Sequence, residues 1–319
     1  MHAAVVRSFD SPPRYEELPA PEPSGEQELA VEVLAAGLHP RVRSGAAGRH
    51  YTSTDALPLI PGVDGVGRSA DGRLLYFIAF DGAPGTMAER TVIDRRRSVP
   101  LADDTDVAAV AAGMNPGMAS WVALRRRISL EPGAKVLVLG ATGNAGQMAV
   151  QISKFLGAGH VVAAGRDAER LARLTTLGAD ETVSLAGDPQ EGARALAAVA
   201  SDVDVVIDYL WGTVSEAAIP ALVKARAEPG RRLAWIEIGS MAGVTLTLPS
   251  AALRAANLQL LGSGQGSLPT AEIVAELPEL AAEITAGTFA VDPLPTPLAD
   301  VESAWTDPTP PGRRIVFTP

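Results

Sequence analysis

Residues 135–154, KVLVLGATGNAGQMAVQISK, decide how this chain is read. Val136–Leu139 is an uninterrupted apolar run of strand length. Gly140, Gly143 and Gly146, equally spaced, separate it from a segment whose Met148, Ile152, Phe155 and Leu156 recur at helical period. A strand turning this sharply into a helix needs residues without a Cβ where the backbone reverses or a ligand comes close. The helix start offers unpaired N–H groups and a partial positive charge, which suit a pyrophosphate. Glycines between a strand and a helix also serve as plain turns. The preceding strand, the amphipathic helix and the strand–helix units downstream favour dinucleotide binding by Gly140, Thr142, Gly143, Asn144, Ala145 and Gly146.

Outward from this stretch the pattern repeats. A strand is expected at His160–Ala164, a helix at Ala168–Leu177, and further strands at Val203–Ile207, Leu233–Ile238 and Leu258–Leu261. Such alternation predicts an α/β doubly wound parallel sheet with helices on both faces. The N-terminal part differs. Its short β-type runs (Ala3–Val6, Leu29–Ala35, Leu74–Ala79, Ala88–Ile93) are broken by Gly and Pro, as in a β-rich unit. After Gly266 a helix over Ala271–Ala286 leads to Pro-rich turns and a last strand, RRIVFTP, expected to return to the first unit. The expected divisions are residues 1–118, 119–266 and 267–319.

Composition narrows the function. A chain of 319 residues exceeds the usual single domain, and 47% hydrophobic content supports sizeable cores. A net charge of −10 repels phosphate backbones, so no nucleic-acid partner is expected. Arg95–Arg97 and Arg125–Arg127 are short clusters, read as solvated surface. The lack of cysteine excludes disulfides, thiolate zinc sites and a cysteine nucleophile. MHAAVVRSFDSPPRYEE lacks the order of a signal peptide, and no apolar run is read as approaching ~20 residues. A soluble, cytoplasmic protein with no membrane partner is expected.

The end of the next strand refines the ligand. Sites for NAD carry Asp or Glu there to hold the ribose hydroxyls. This chain has Gly165 and Arg166, and a guanidinium suits a 2′-phosphate that an acid would repel. Arg170, one helical turn on, is expected to reinforce the charge. In the plainer alternative Asp167 caps a helix and both arginines face water. Asp167 leaves NAD open, and NADPH is the expectation.

LPLIPGVDGVG (57–67), GTMAERTVI (85–93), GATGNAG (140–146), LGADETVSL (177–185) and GRRIVFTP (312–319) occur in the order and spacing of the medium-chain dehydrogenase/reductase superfamily, which the chain resembles over nearly its whole length. It looks most like the zinc-independent quinone oxidoreductase branch. That resemblance implies a GroES-like β-rich catalytic domain beside a Rossmann NADP-binding domain. Zinc-dependent relatives carry Cys after an Ala-Gly pair and later Gly-His-Glu; the matching places here hold His39, Val63 and Asp64. Valine cannot ligate a metal, and His39 with His50 falls short of three protein ligands, so no metal is expected. Without a Lewis acid, substrates that accept hydride unaided come forward: a quinone, or an alkene conjugated to a carbonyl.

By the same resemblance the candidate catalytic side chains are Tyr51, His39 and Asn115. Tyr51 is placed to donate to a developing oxyanion, or else packs under its loop. His39 stands where many zinc-free relatives have Asn, and serves nicotinamide, substrate or structure. Asn115 is read as a contact or a local turn bond. Ala119-Ser120 replaces the Thr-Ala of relatives, so Ser120 is a substitute hydroxyl or none. Contacts to the cofactor are also implied at the strand ends: Tyr209, Gly239, Ser240, Gly262 and Ser263. A homodimer joined at LQLLGSG (258–264) is implied too. The competing readings are an NADPH-binding sensor without turnover and, third, a zinc alcohol dehydrogenase.

Overall fold

Alternating strands and interrupted helices sort into two units in the computed structural model, which describes residues 1–53, 55–80, 82–307 and 312–319. Met1–Asn115 together with Pro269–Pro319 make one unit, and Pro116–Leu268 the other.

The chain begins with β1 (His2–Val5) paired antiparallel to β2 (Arg14–Glu17), followed by the long β3 (Glu28–Gly37) and α1 (Pro40–Ala46). Then come β4 (Asp64–Ser69), β5 (Leu74–Ile78), β6 (Arg90–Asp94) and β7 (Ser98–Pro100). A tight turn through Asp71 and Gly72, the latter at φ +86°, joins β4 to β5. Val31, Val33, Phe77, Met87 and Ile93 point inward and form the apolar centre of this unit.

Helix α2 (Val107–Val122) carries the chain onward, with Pro116 inside it and a π turn over Ala123–Arg127 at its end. Taken together, Val107–Arg127 is 21 residues, long and apolar enough to cross a membrane by length and composition, and 67% of its apolar window is buried inside the protein. That corrects the expectation that no apolar run nears such a length. Gly113, Asn115, Pro116 and Gly117 break up its appearance in the sequence, yet all four are helical. Asn115 therefore belongs to no turn.

The second unit runs β8 (Lys135–Leu139), α3 (Asn144–Phe155), β9 (His160–Gly165), α4 (Ala168–Leu174), β10 (Glu181–Ser184), α5 (Pro189–Ala200), β11 (Val205–Asp208), α6 (Gly212–Ala225), β12 (Leu233–Glu237), α7 (Ser250–Ala255) and β13 (Leu258–Gly262). Its six strands lie in the order β10-β9-β8-β11-β12-β13 and every pair is parallel, the doubly wound Rossmann arrangement. β8 and β11 are buried along most of their length, which is why they read as continuous apolar runs. Chain order reverses between them, and ligands of open α/β sheets gather beyond the strand ends at such a point. Helix α3 buries Met148 and Ile152 as its period predicts, but Phe155 is 42% exposed and lies against Trp121, ring centroids 5.7 Å apart.

The basic clusters are more engaged than their composition suggests. Arg96 pairs with Asp94 at 2.6 Å, Arg125 lies 4.8 Å over the Trp121 ring, and Arg127 donates to the carbonyls of Gly262 and Ser267.

Helix α8 (Thr270–Thr285), β14 (Pro293–Pro297), α9 (Val301–Thr306) and β15 (Arg314–Thr318) belong to the first unit. β15 inserts between β14 and β3, giving the sheet order β14-β15-β3-β4-β5-β7, with β6 on the remaining length of β3. Three prolines, Pro293, Pro295 and Pro297, are tolerated in β14 because it is an edge strand, where an N–H is dispensable.

Candidate functional site

The three glycines after β8 answer to different demands. Gly140 leaves the strand at φ +84°, and a Cβ on it would sit 3.1 Å from Leu210 Cδ2 and 3.2 Å from Tyr209 Cβ. Gly146, in the first turn of α3, would bring a Cβ within 2.3 Å of the Gly140 carbonyl oxygen and 2.5 Å of Ala141 Cα. Only a bare Cα lets that turn press against the loop. Gly143 is the N-cap of α3 at φ −79°, ψ 163°, a conformation open to any residue, and its Cβ would meet only Gly140 O at 3.6 Å. Neither backbone nor packing asks for glycine here. What it leaves is open space at the positive end of a 12-residue helix, beside Asn144 and Ala145 of the first turn. A phosphate fits such a cradle.

Thr142 faces the other way. A Cβ at Gly165, the last residue of β9, would fall 2.6 Å from Thr142 Cγ2, so the loop leans directly on that strand end. The Thr142 carbonyl accepts from Gln147 Nε2 (3.2 Å) and Arg170 Nη1 (3.4 Å). Arg170 also lies 3.2 Å from Asp167, whose side chain caps α4 by accepting from the Arg170 N–H at 3.0 Å. Arg170 thus braces the glycine loop. Arg166, by contrast, is exposed just past β9 and has no side-chain hydrogen bond or ion pair among the described residues. It is a free cation beside the loop.

On the far side of the reversal point, Asp208 ends β11 with no exposed surface. It accepts from the N–H groups of Leu210 (2.8 Å) and Trp211 (2.9 Å), from Ser215 Oγ (2.5 Å) and from Trp235 Nε1 (2.8 Å). These four bonds hold the turn in which Trp211 takes φ +52°. Sequence reading passed over Asp208; its one signal was a carboxylate closing an otherwise apolar strand. Glu237 stands opposite it in register on β12, and burial, with Asp208 adding to it, raises the Glu237 pKa. Tyr209 follows Asp208 and is buried, as is Ser120 of α2. Gly239 adjoins Tyr209, since its Cβ would stand 3.2 Å from Tyr209 O. Ser240 is exposed. Gly262 and Ser263 lie apart from the glycine loop, the Ser263 N–H donating to Glu237 O at 2.8 Å.

The first unit carries a separate buried polar cluster. His39 is 2% exposed, and its Nε2 lies 3.1 Å from Asp64 Oδ1. Tyr76 donates to the other Asp64 oxygen at 2.8 Å, and Thr86 Oγ1 donates to the Asp64 carbonyl at 2.7 Å. A carboxylate can only accept, so His39 Nε2 carries the proton and Nδ1 is left as a lone-pair acceptor, buried and without a partner among the described residues. Burial depresses the His39 pKa, while Asp64 pulls it back up. Arg314 of β15, donating to Leu38 O at 2.9 Å, is pushed down to about 10 by burial. Tyr51 lies outside this cluster, 74% exposed with its ring 4.4 Å from that of His50. Asn115 sits partly buried inside α2. Among the described residues no group of three or more His, Asp and Glu is placed to hold a metal ion.

Residues 145–283 match the zinc-binding dehydrogenase family, a span that excludes His39 and Asp64. Over its full length the chain is 33% identical to all of a probable NADPH-dependent quinone reductase of Emericella nidulans. The chain belongs to the medium-chain dehydrogenase/reductase superfamily. A second member of this superfamily, bovine (Bos taurus) prostaglandin reductase-3, is 29% identical over 220 residues, 64% of this chain and 54% of that protein. The solved quinone oxidoreductase of Thermus thermophilus, also described in complex with NADPH, has a TM-score of 0.81 and 27% identity, with 100% of both chains covered.

Proposed function

We propose that this chain is an NADPH-dependent, metal-independent reductase of quinones or of alkenes conjugated to a carbonyl. The observation that carries the reading is the clear space over Gly143 at the start of α3, with the unpaired Arg166 beside it at the end of β9. The first-turn N–H groups of α3 take the pyrophosphate, and Arg166 takes the 2′-phosphate that distinguishes NADPH from NADH. Arg170 holds the loop in shape through Thr142 O. Bound NADPH supplies a hydride from its nicotinamide ring.

His39 is the polar side chain of the first unit that we assign to substrate, because its Nδ1 is an acceptor lacking a donor while Asp64 and Tyr76 fix the ring. Tyr51 and Asn115 remain in the same proposal with less to support them. The metal-free reading is supported by Val63 at a ligand position and by His39 and Asp64 facing each other. The named relatives support the two substrate classes, one a quinone reductase and one a prostaglandin reductase. β13 ends its sheet with Leu260 36% exposed, which supports a homodimer formed along that edge.

NADPH oxidation followed with a benzoquinone, a naphthoquinone, an enone and an aldehyde tests the reading. Turnover of the quinones or the enone, undiminished by a chelator, is the expected result. Tight NADPH binding with no oxidation of any of the four would make the protein a sensor. Activity that required one bound zinc per chain would make it an alcohol dehydrogenase.

A further inference from the structure

Tyr209 carries a hydroxyl that the fold leaves unanswered. The residue is 8% exposed, and its Oη is buried with no hydrogen-bond partner among the described residues. Ser120 is its polar neighbour, fully buried, but the approach falls short of a hydrogen bond. Ser120 Oγ instead donates to the Gly117 carbonyl of its own helix at 3.3 Å. Burial pushes the Tyr209 pKa up, so the phenol stays neutral and remains a donor. A buried hydroxyl without a partner is unfavourable, and where one persists a bound ligand or water is the ordinary explanation.

Its place in the sheet says which ligand group arrives. β9, β8 and β11 are neighbours, and Arg166, the glycine loop and Tyr209 extend their respective ends. Adjacent strands are about 4.8 Å apart, so the three ends form a short row. A dinucleotide with its pyrophosphate at Gly143 and its phosphorylated ribose toward Arg166 has its other half on the β11 side. Glycines flank Tyr209 there: Gly140 and Gly239 would each place a Cβ 3.2 Å from it. We propose that Tyr209 Oη donates a hydrogen bond to an oxygen of the nicotinamide–ribose half of the cofactor and anchors that half at the strand end. This rests on the NADPH reading above.

The test pairs Tyr209→Phe with two ligands, NADPH and adenosine 2′,5′-bisphosphate, which has the adenosine half alone. Calorimetric titration of Tyr209→Phe should show an NADPH Kd raised about tenfold, the loss of one hydrogen bond, with the bisphosphate Kd unchanged. Thermal denaturation of the ligand-free variant should show a Tm equal to or above that of the wild type, because the orphaned donor is gone. Unchanged NADPH affinity would overturn the proposal, as would equal loss of both ligands. A ligand-free Tm that falls as far as in Ser120→Ala, with NADPH binding intact, would make the hydroxyl a structural partner of Ser120. Wild-type protein that bound neither ligand would instead bring down the NADPH reading itself.

Discussion

Replacing Gly143 and Gly146 separately by alanine should divide binding from stability. At Gly143 the backbone is already at φ −79°, ψ 163°, and the new methyl meets one atom at 3.6 Å, an ordinary contact. Restricting the unfolded chain then gives about 0.4–1 kcal/mol of extra stability. The same methyl stands where the phosphate oxygens must approach the helix start. Losing one charge-assisted hydrogen bond there amounts to roughly 1.5–3 kcal/mol, or about ten- to hundredfold in NADPH affinity. At Gly146 the methyl would lie 2.3 Å and 2.5 Å from backbone atoms of Gly140 and Ala141, so the loop or the first turn of α3 must move. Such overpacking costs about 1–3 kcal/mol, and each kcal/mol lowers Tm by roughly 2–4 °C in a domain of this size. Differential scanning calorimetry and NADPH titration of both variants give the four numbers needed. Gly143→Ala that binds NADPH as the wild type does would refute the phosphate cradle, whatever happens at Gly146.

Two further expectations concern charge. Arg166→Ala should weaken NADPH by about 1.5–3 kcal/mol and spare NADH, and fluorescence titrations with equal losses for both would remove the 2′-phosphate role. His39 has a depressed pKa in the folded chain, against about 6.5 when unfolded, so between those values the unfolded chain binds the extra proton. Its contribution to stability is therefore complete above about pH 7 and lost as pH falls below about 6.5. His39→Gln should flatten Tm against pH over that acidic limb, and a slope as steep as the wild type's would acquit His39.

What the sequence discloses follows from whether a signal is local. β8, its glycines and α3 are consecutive, so apolar period and turn chemistry suffice to see them. β10 escapes notice because Glu181, Thr182 and Ser184 are exposed and only Val183 is buried. β14 is hidden by its prolines and α2 by Asn115-Pro116, each a residue type that argues against the element it occupies. The polar clusters are hardest of all. His39 and Asp64 are 25 residues apart, and Asp208 and Trp235 are 27 apart; strand pairing brings the second pair together, β11 beside β12. Arg170 shows the converse limit. Its distance from Arg166 in the chain is short, but Arg166 precedes the N-cap Asp167 and so lies outside α4, and the Arg170 guanidinium turns to Thr142 O, a choice that depends on how the loop leans on β9.

The insertion of β15 between β14 and β3 has a bearing on how the molecule is made. Pro116–Leu268 can complete its own sheet as soon as it leaves the ribosome, whereas the preceding 115 residues cannot. Until residues 314–318 emerge, β3 offers an open edge near Ala36 and Gly37, and the hydrophobic centre lacks Ile315 and Phe317. Newly synthesised chains therefore pass through a sticky, half-built stage, and a chain cut short before residue 314 would be held in it.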